Sequence, residues 1–215
     1  MRMAITRISK LCFMFFWLSG LNPLLAQDCK PFEHARSERL LRFLESTVPS
    51  DQNAACLTFA IRALGKRCYE PAIGPIVKLL EFQRPLTADE KIGVRDRFPA
   101  PYYPAVEAME EMTSRCRATT KIRLAVLGAL ENGAASTKAR ENAVEIWMFL
   151  YRDDRAGGPP AGVASLRREA EARENSAARE RLLWAISKAL ETPSCKFPIS
   201  EAAKCKAAAN TGDPD

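Results

Sequence analysis

Histidine is almost absent from this chain: His34 is the single histidine among 215 residues. A serine-type triad or a histidine general base would have to use His34, yet no positioned partner and no nucleophile elbow accompany it in the sequence. Because His34 stands beside Glu33 and Arg36 in a charged segment, we interpret it as a cap or a surface residue.

The chain also lacks the closely spaced motifs that bind zinc or phosphate. It contains no CxxC pair and no glycine-rich phosphate loop. Neighbouring carboxylates such as Glu110 and Glu111 diverge on a helix, so we interpret them as a solvated face rather than a glycosidase pair. We therefore expect no metal, no cofactor and no enzymatic activity. A helical hydrolase or lyase with acidic catalysts is the alternative.

A long apolar run occurs once, near the beginning of the chain. A segment with three cations precedes residues 11–18 (LCFMFFWL), and Ala26 provides a small residue before a cleavage site. We interpret residues 1–26 as a signal peptide, which predicts a periplasmic or secreted protein. The alternative is a membrane-anchored surface protein with an uncleaved N-terminal segment, although a span needs about 20 apolar residues.

The net charge gives little support for a nucleic-acid partner. The formal charge of +6 falls to +3 once Arg2, Arg7 and Lys10 leave with the signal peptide. Interleaved charges of both signs are typical of solvated, ion-paired surfaces. We expect no nucleic acid and, after cleavage, no membrane contact. Two clusters could instead hold an anion: Arg62, Lys66, Arg67, Lys121 and Arg123, and Arg167, Arg168, Arg173, Arg179 and Arg181.

Apolar periodicity divides the mature chain into pairs of helices. In residues 54–82 (AACLTFAIRALGKRCYEPAIGPIVKLLEF), apolar side chains recur at offsets 0, 3, 4 and 7 on both sides of a corner at 66–71. Related patterns predict helices at 33–47, 51–67, 70–82, 102–114, 118–132, 136–152, 161–174 and 176–190. We expect residues 192–215 to form a loop-like tail that contains two cysteines.

Residues 83–101 interrupt the apolar periodicity, since they contain three prolines and mixed charges. Long loops on rigid scaffolds often carry recognition, and aromatic and arginine side chains dominate interface energetics. We therefore predict that a protein partner binds on the Tyr102 side of the molecule. The predicted contact residues are Arg95, Arg97, Phe98, Tyr102 and Tyr103. Packing of the loop onto the helices would explain its aromatic residues equally well.

The second helices of successive pairs carry related segments: LTFAIRAL, YPAVEAM, ENAVEIW and RERLLWAI. Ala60, Ala105 and Ala143 head similar segments 45 and 38 residues apart, close to the period of about 40 to 47 residues of helical-pair repeats. Residues 60–65 (AIRALG) and 71–80 (PAIGPIVKLL) resemble a HEAT-like repeat, loosely over 33–190. The resemblance implies an α-solenoid of about four hairpins that acts as an interaction scaffold. It transfers no functional residues.

Six cysteines remain after cleavage, and an even number in an exported chain indicates disulfides. Cys56 and Cys68 cannot pair, because one helix would hold them about 18 Å apart, beyond the reach of about 7 Å that a disulfide has. Cys68 and Cys116 each end a comparable helix, and such ends are neighbours in stacked hairpins. We therefore predict the pair Cys68–Cys116.

The other two pairs follow less directly. Cys195 and Cys205 can close the tail locally. Elimination then leaves Cys29 with Cys56, although the antiparallel geometry of the first hairpin would place Cys29 near Cys68.

The sequence thus predicts an all-α, disulfide-stabilised protein with a signal peptide (1–26), a HEAT-like domain (27–191) containing a long inserted loop (83–101), and a tail (192–215). We expect a non-catalytic, exported scaffold that binds another protein. Neither the identity of that partner nor an oligomeric state follows from the residues.

Overall fold

The computed structural model describes residues 29–84, 102–152, 156–196 and 199–211. Within these ranges the chain forms eleven α-helices and no strand beyond an isolated bridge between Arg84 and Tyr102. The prediction of an all-α fold is therefore confirmed. The predicted signal peptide and most of the predicted insertion lie outside the described residues. None of the helices in these ranges combines the length and the apolar character needed to cross a bilayer.

Capping residues define several helix boundaries. Ser136 caps a helix as predicted, since its hydroxyl accepts a hydrogen bond of 3.1 Å from Ala139 N–H. Asn175, rather than the predicted Ser176, caps the ninth helix through its side-chain oxygen. The helices are α1 (Lys30–Glu33), α2 (Ser37–Ser46), α3 (Ala54–Lys66), α4 (Ile73–Val77), α5 (Pro104–Cys116), α6 (Thr119–Glu131), α7 (Thr137–Leu150), α8 (Gly158–Glu171), α9 (Ser176–Glu191), α10 (Pro193–Lys196) and α11 (Ile199–Thr211).

The long helices pack in a row. Helix α3 packs on α5, α5 on α7, and α7 on α9, while α2, α4 and α6 pack against one another and against this row. Helix α8 lies between α9 and α11. The apolar stripes meet in one hydrophobic core that includes Ile61, Met109, Ile146, Trp147 and Leu182, all without exposed surface. Burial of each such side chain contributes about 1.5–3 kcal/mol, so this core stabilises the row.

The predicted helix at 33–47 is divided into α1 and α2. The ring of Phe32 lies 4.5 Å from that of Phe43, which shows that the segment before α2 folds back along it. This reversal brings Cys29 to the start of α3, where its Cα lies 5.2 Å from that of Cys56 in a disulfide. The elimination argument is confirmed, and the expectation of Cys29 near Cys68 is wrong because the chain turns between the two helices.

The predicted helix at 70–82 is also divided. A 3-10 turn at Glu70–Ala72 leads into the short α4, and single turns follow, with Leu79 N–H donating to the Ile76 carbonyl at 2.9 Å. Pro75 accounts for the break between the 3-10 turn and α4, because it has no N–H to donate to the Pro71 carbonyl and its ring clashes with that carbonyl.

The tail is helical rather than loop-like, so that prediction is wrong. Helices α10 and α11 are joined by the predicted Cys195–Cys205 disulfide, with 5.8 Å between the Cα atoms, and α11 packs on α8. The buried side chains of α11 are Cys205 and Ala208. Their small size gives a weak amphipathic pattern, which is why the helix is hard to recognise from sequence.

The predicted Cys68–Cys116 disulfide joins the ends of α3 and α5, with 5.4 Å between the Cα atoms. Helix α3 ends in a Schellman motif: Tyr69 N–H donates to the Leu64 carbonyl and Cys68 N–H to the Gly65 carbonyl. Cys68 therefore occupies the left-handed position usually held by glycine, with φ of 54°. Arg117, directly after Cys116, has φ of 52°.

Gly65 marks the closest approach of α3 and α5. A Cβ atom at this position would lie 3.0 Å from the Ala108 Cβ and 3.2 Å from the Ala108 Cα. The leucine-glycine ending of α3 thus allows the two helices to come together at a distance that a larger residue would prevent.

We expect Gly65→Ala to lower the free energy of unfolding by about 1–3 kcal/mol, the usual cost of overpacking a core contact. Gly128 in α6 is a matched control, because a Cβ there would meet no atom within 4 Å. Gly128→Ala should raise the same quantity by about 0.5–1 kcal/mol. Urea denaturation measures both, and equal gains in the two variants would contradict the close approach.

Candidate interaction site

A basic groove runs along α3 and has a volume of about 450 Å³. The residues that α3 contributes recur every three or four positions, so they share the face opposite the buried stripe of that helix. The described lining residues include three cations and no carboxylate. They are Ala55, Thr58, Phe59, Arg62, Ala63, Lys66 and, beyond α3, Arg84.

A network of side chains holds the rim of the basic groove. Arg62 Nη2 donates to Glu107 Oε1 at 3.1 Å, and the Tyr102 hydroxyl donates to the other oxygen of Glu107. The Arg84 guanidinium lies over the Tyr102 ring, 5.0 Å from its centroid. Because the Arg62 and Glu107 side chains are 40% and 39% exposed, their ion pair contributes less than about 1 kcal/mol. Its main effect is to position the two groups.

The predicted contact residues fall in and around this network. Tyr102 lies at the rim of the basic groove and is half-buried. Tyr103, also half-buried, donates its hydroxyl to Gln83 Oε1 at 3.3 Å and lies beneath Lys138, whose Nζ is 5.0 Å from the ring centroid. Their role in binding stays a prediction. Arg95, Arg97 and Phe98 lie outside the described residues.

The first basic cluster of the sequence is divided in the structure. Arg62 and Lys66 line the basic groove, but Arg67 donates to the Ala35 carbonyl at 2.6 Å, and Lys121 pairs with Glu70. Two arginines of the second cluster form ion pairs, Arg167 with Glu171 at 2.7 Å and Arg173 with Glu131 at 2.6 Å. Arg84 is not recognisable as a groove residue from the sequence, because only its tertiary position beside Tyr102 brings it to the groove.

An acidic groove of about 490 Å³ lies beside the first, between α5, α7 and α9. Glu107 connects the two grooves, since it contacts Arg62 and stands one helical turn before Glu110. The acidic groove has four carboxylates and two cations around an apolar floor. Its lining residues are Glu110, Glu141, Val144, Glu145, Met148, Phe149, Arg152, Lys188, Glu191, Thr192, Pro193 and Ser194.

Two of the four carboxylates are neutralised by nearby lysines. Lys138 pairs with Glu141 at 3.3 Å, and Lys188 pairs with Glu191 at 3.0 Å. The remaining two carboxyl groups, Glu110 and Glu145, come from facing helices, and Arg152 is the cation that acts on Glu110.

Glu110 has an unusual protonation equilibrium. The pKa of Glu110 is raised from its ordinary 4.5 to about 7, chiefly by burial and next by the Glu145 carboxylate; Arg152 opposes the rise and Glu107 adds to it. Desolvation also raises the pKa of Glu145, with Lys138 opposing, although part of that side chain is exposed. Of the two carboxylates interpreted as a solvated face, Glu110 is half-buried and lines this groove, whereas Glu111 pairs with Arg115.

The chemistry open to this groove is limited. A carboxyl group that titrates near neutrality can transfer a proton or accept a cationic side chain. In the described part of the chain, no group of three or more His, Cys, Asp or Glu residues is placed to hold a metal ion.

Comparison of the chain with protein-family models, with curated proteins and with solved structures finds no match.

Thr58, in the wall of the basic groove, is 4% exposed, and its hydroxyl has no hydrogen-bond partner among the described residues. Elsewhere, helical threonines donate to the carbonyl four residues earlier, as Thr113 does to Met109 at 2.8 Å. The Thr58 hydroxyl makes no such bond to the Ala54 carbonyl, so within the described residues it is an unsatisfied polar group beside the groove.

Thr58→Val should raise the free energy of unfolding by about 1 kcal/mol, since valine keeps the shape and removes an unsatisfied hydroxyl. Thr113→Val should lower it by a similar amount, because that hydroxyl has a partner. Thermal or urea unfolding tests the pair, and a loss of stability in Thr58→Val would show that the Thr58 hydroxyl is satisfied.

The raised pKa of Glu110 predicts a pH dependence of stability. Between about pH 4.5 and 7 the folded state keeps a proton that the unfolded state releases, so the contribution of Glu110 to stability falls as pH rises. We expect Glu110→Gln to be about 1–2 kcal/mol more stable than the wild type at pH 8, after allowance for partial exposure, and equal to it near pH 4.

Glu111→Gln provides the control, because Glu111 pairs with Arg115 on the surface at 2.5 Å and does not line the groove. Urea denaturation at several pH values measures both variants. A constant difference between Glu110→Gln and wild type across this range would contradict the assignment.

Proposed function

We propose that this protein is an exported, non-catalytic scaffold that binds another protein through the face formed by α3, α5, α7 and α9. The observation that carries this proposal is the pair of grooves of opposite charge on that face, joined by the contact between Arg62 and Glu107. Electrostatic complementarity of this kind selects partners and orients them during association.

A HEAT-like α-solenoid is the repeat architecture that we propose for the chain. The row of α3, α5, α7 and α9, with α2, α4 and α6 against it, is what stacked helical pairs would produce. Helix α11, which packs on α8, would then cover the C-terminal end of the stack. Terminal repeats need such a cover because their outer apolar face has no neighbour.

The proposal of export has two supports. Three disulfides link six cysteines, and such bonds persist in oxidising compartments outside the cytoplasm. Residues 1–26 have the composition of a signal peptide. Mass spectrometry of the native N-terminus tests the anchor alternative: a chain beginning at Gln27 supports export, and an intact Met1 supports a retained anchor.

Photo-cross-linking in the native compartment tests the proposed binding face. A photoreactive amino acid at Lys66 or Glu145 should yield a discrete adduct with a partner protein. The same group at Lys78, just after α4, or at Arg123, on α6, should yield none, since both positions are exposed and lie outside the proposed face. Adducts confined to Lys78 and Arg123 would place the partner on the other side, and the absence of any adduct would argue against a protein partner.

A hydrolase or lyase is the second candidate function, and the Glu110 carboxyl group is the observation that favours it. A group with a pKa of about 7 beside the Glu145 carboxylate could serve as a general acid or base. A substrate screen on the pure protein, with Glu110→Gln in parallel, decides the matter. Turnover that disappears in Glu110→Gln would replace the scaffold proposal with an enzymatic one.

A further inference from the structure

The basic groove has an internal order along α3. Ala55 and Phe59 lie toward the N-terminal end of the helix, and Arg62 and Lys66 toward the C-terminal end. The helical rise of 1.5 Å per residue separates Ala55 from Lys66 by about 16 Å and Phe59 from Lys66 by about 10 Å. The groove therefore changes from an apolar end to a cationic end over a distance that suits a short extended peptide.

The cationic end is suited to a carboxylate. A guanidinium group binds a carboxylate through paired hydrogen bonds, and an ammonium group adds a mobile point charge. Lys66 is exposed, and Arg62 and Glu107 remain accessible enough for a second carboxylate to approach the guanidinium. The described lining residues include no carboxylate; Glu107, at the rim, is held by Arg62 and by the Tyr102 hydroxyl, so an incoming carboxylate has to share the Arg62 guanidinium with it.

Thr58 lies between the two ends and gives an independent indication of a ligand. Its hydroxyl is buried and has no hydrogen-bond partner among the described residues, and it stands one helical turn before Arg62. An extended peptide in the groove would bring backbone carbonyls to this level. A hydrogen bond from Thr58 to one of them would satisfy a group that is unsatisfied in the free protein.

We propose that the basic groove binds an extended, acidic peptide segment of the partner, in which an apolar side chain precedes a glutamate or aspartate by about three residues. The apolar side chain lies against Phe59, and the carboxylate lies between Arg62 and Lys66. The spacing follows from about 10 Å of groove and about 3.3 Å per residue of extended chain. This inference rests on the proposed scaffold function and specifies the chemistry of its partner.

Fluorescence anisotropy with defined peptides tests the proposal. The probe is a fluorescein-labelled octapeptide in which leucine precedes glutamate by three positions in a glycine–serine chain. Two comparison peptides replace the glutamate by glutamine or the leucine by serine. We expect the glutamate peptide to bind at least about tenfold more tightly than either comparison, and binding to weaken as the salt concentration rises.

Variants of the full-length mature protein locate the site. Lys66→Glu should weaken binding about tenfold, whereas Lys78→Glu, an exposed charge reversal after α4, should leave it unchanged. Thr58→Val should weaken binding about three- to tenfold, the usual range for one lost hydrogen bond. Far-ultraviolet circular dichroism confirms that each variant is folded.

Several results would overturn the proposal. It fails if the glutamate and glutamine peptides bind with equal affinity, or if Lys66→Glu leaves the affinity unchanged. It also fails if no peptide binds up to 1 mM, which corresponds to roughly 4 kcal/mol of binding free energy. Tighter binding of octanoate than of the peptide would assign the groove to a small carboxylate instead. If cross-linking from Lys66 captures a partner while no acidic peptide binds, this inference fails and the scaffold function stands; if both fail, so does the scaffold function.

Discussion

The contact of Gly65 with Ala108 is the constraint on which the rest of the row depends. At this point the backbones of α3 and α5 are separated by little more than a methyl group, and the Cys68–Cys116 disulfide holds the same ends of the two helices together. Helix α5 in turn positions α7, and α7 positions α9. A displacement of α5 relative to α3 at Gly65 would therefore shift α7 and α9 as well, and with them the spacing between the two grooves.

The two grooves result from the same pattern that builds the core. Each long helix buries one stripe of apolar side chains and turns charged residues at the same three- and four-residue spacing to the opposite side. When the helices stand side by side, these residues form rows across the surface. The row on α3 is basic, and the charged residues that α7 contributes to its groove are acidic. Glu107 of α5 lies between these two rows.

Local patterns predict much of this fold. The stripe of Leu57, Ala60, Ile61 and Leu64 is buried as its spacing indicates, and the common position of Cys68 and Cys116 at helix ends is enough to pair them. Features that depend on distant contacts are not visible in this way. Glu110 has its pKa raised by burial and by Glu145, which is 35 positions further along the chain, and the turn that returns Cys29 to Cys56 depends on Phe32 meeting Phe43.

Cys68 serves two purposes that proteins usually assign to different residues. It adopts the left-handed conformation that ends α3, a position where glycine is normally preferred, and it forms one half of the covalent link to α5. Glycine would suit the backbone and abolish the link, whereas any other side chain would keep the strain without the link. Reduction of the Cys68–Cys116 disulfide would leave α3 ending in an unfavourable left-handed residue and would remove its covalent link to α5. Few substitutions at Cys68 are therefore compatible with this structure.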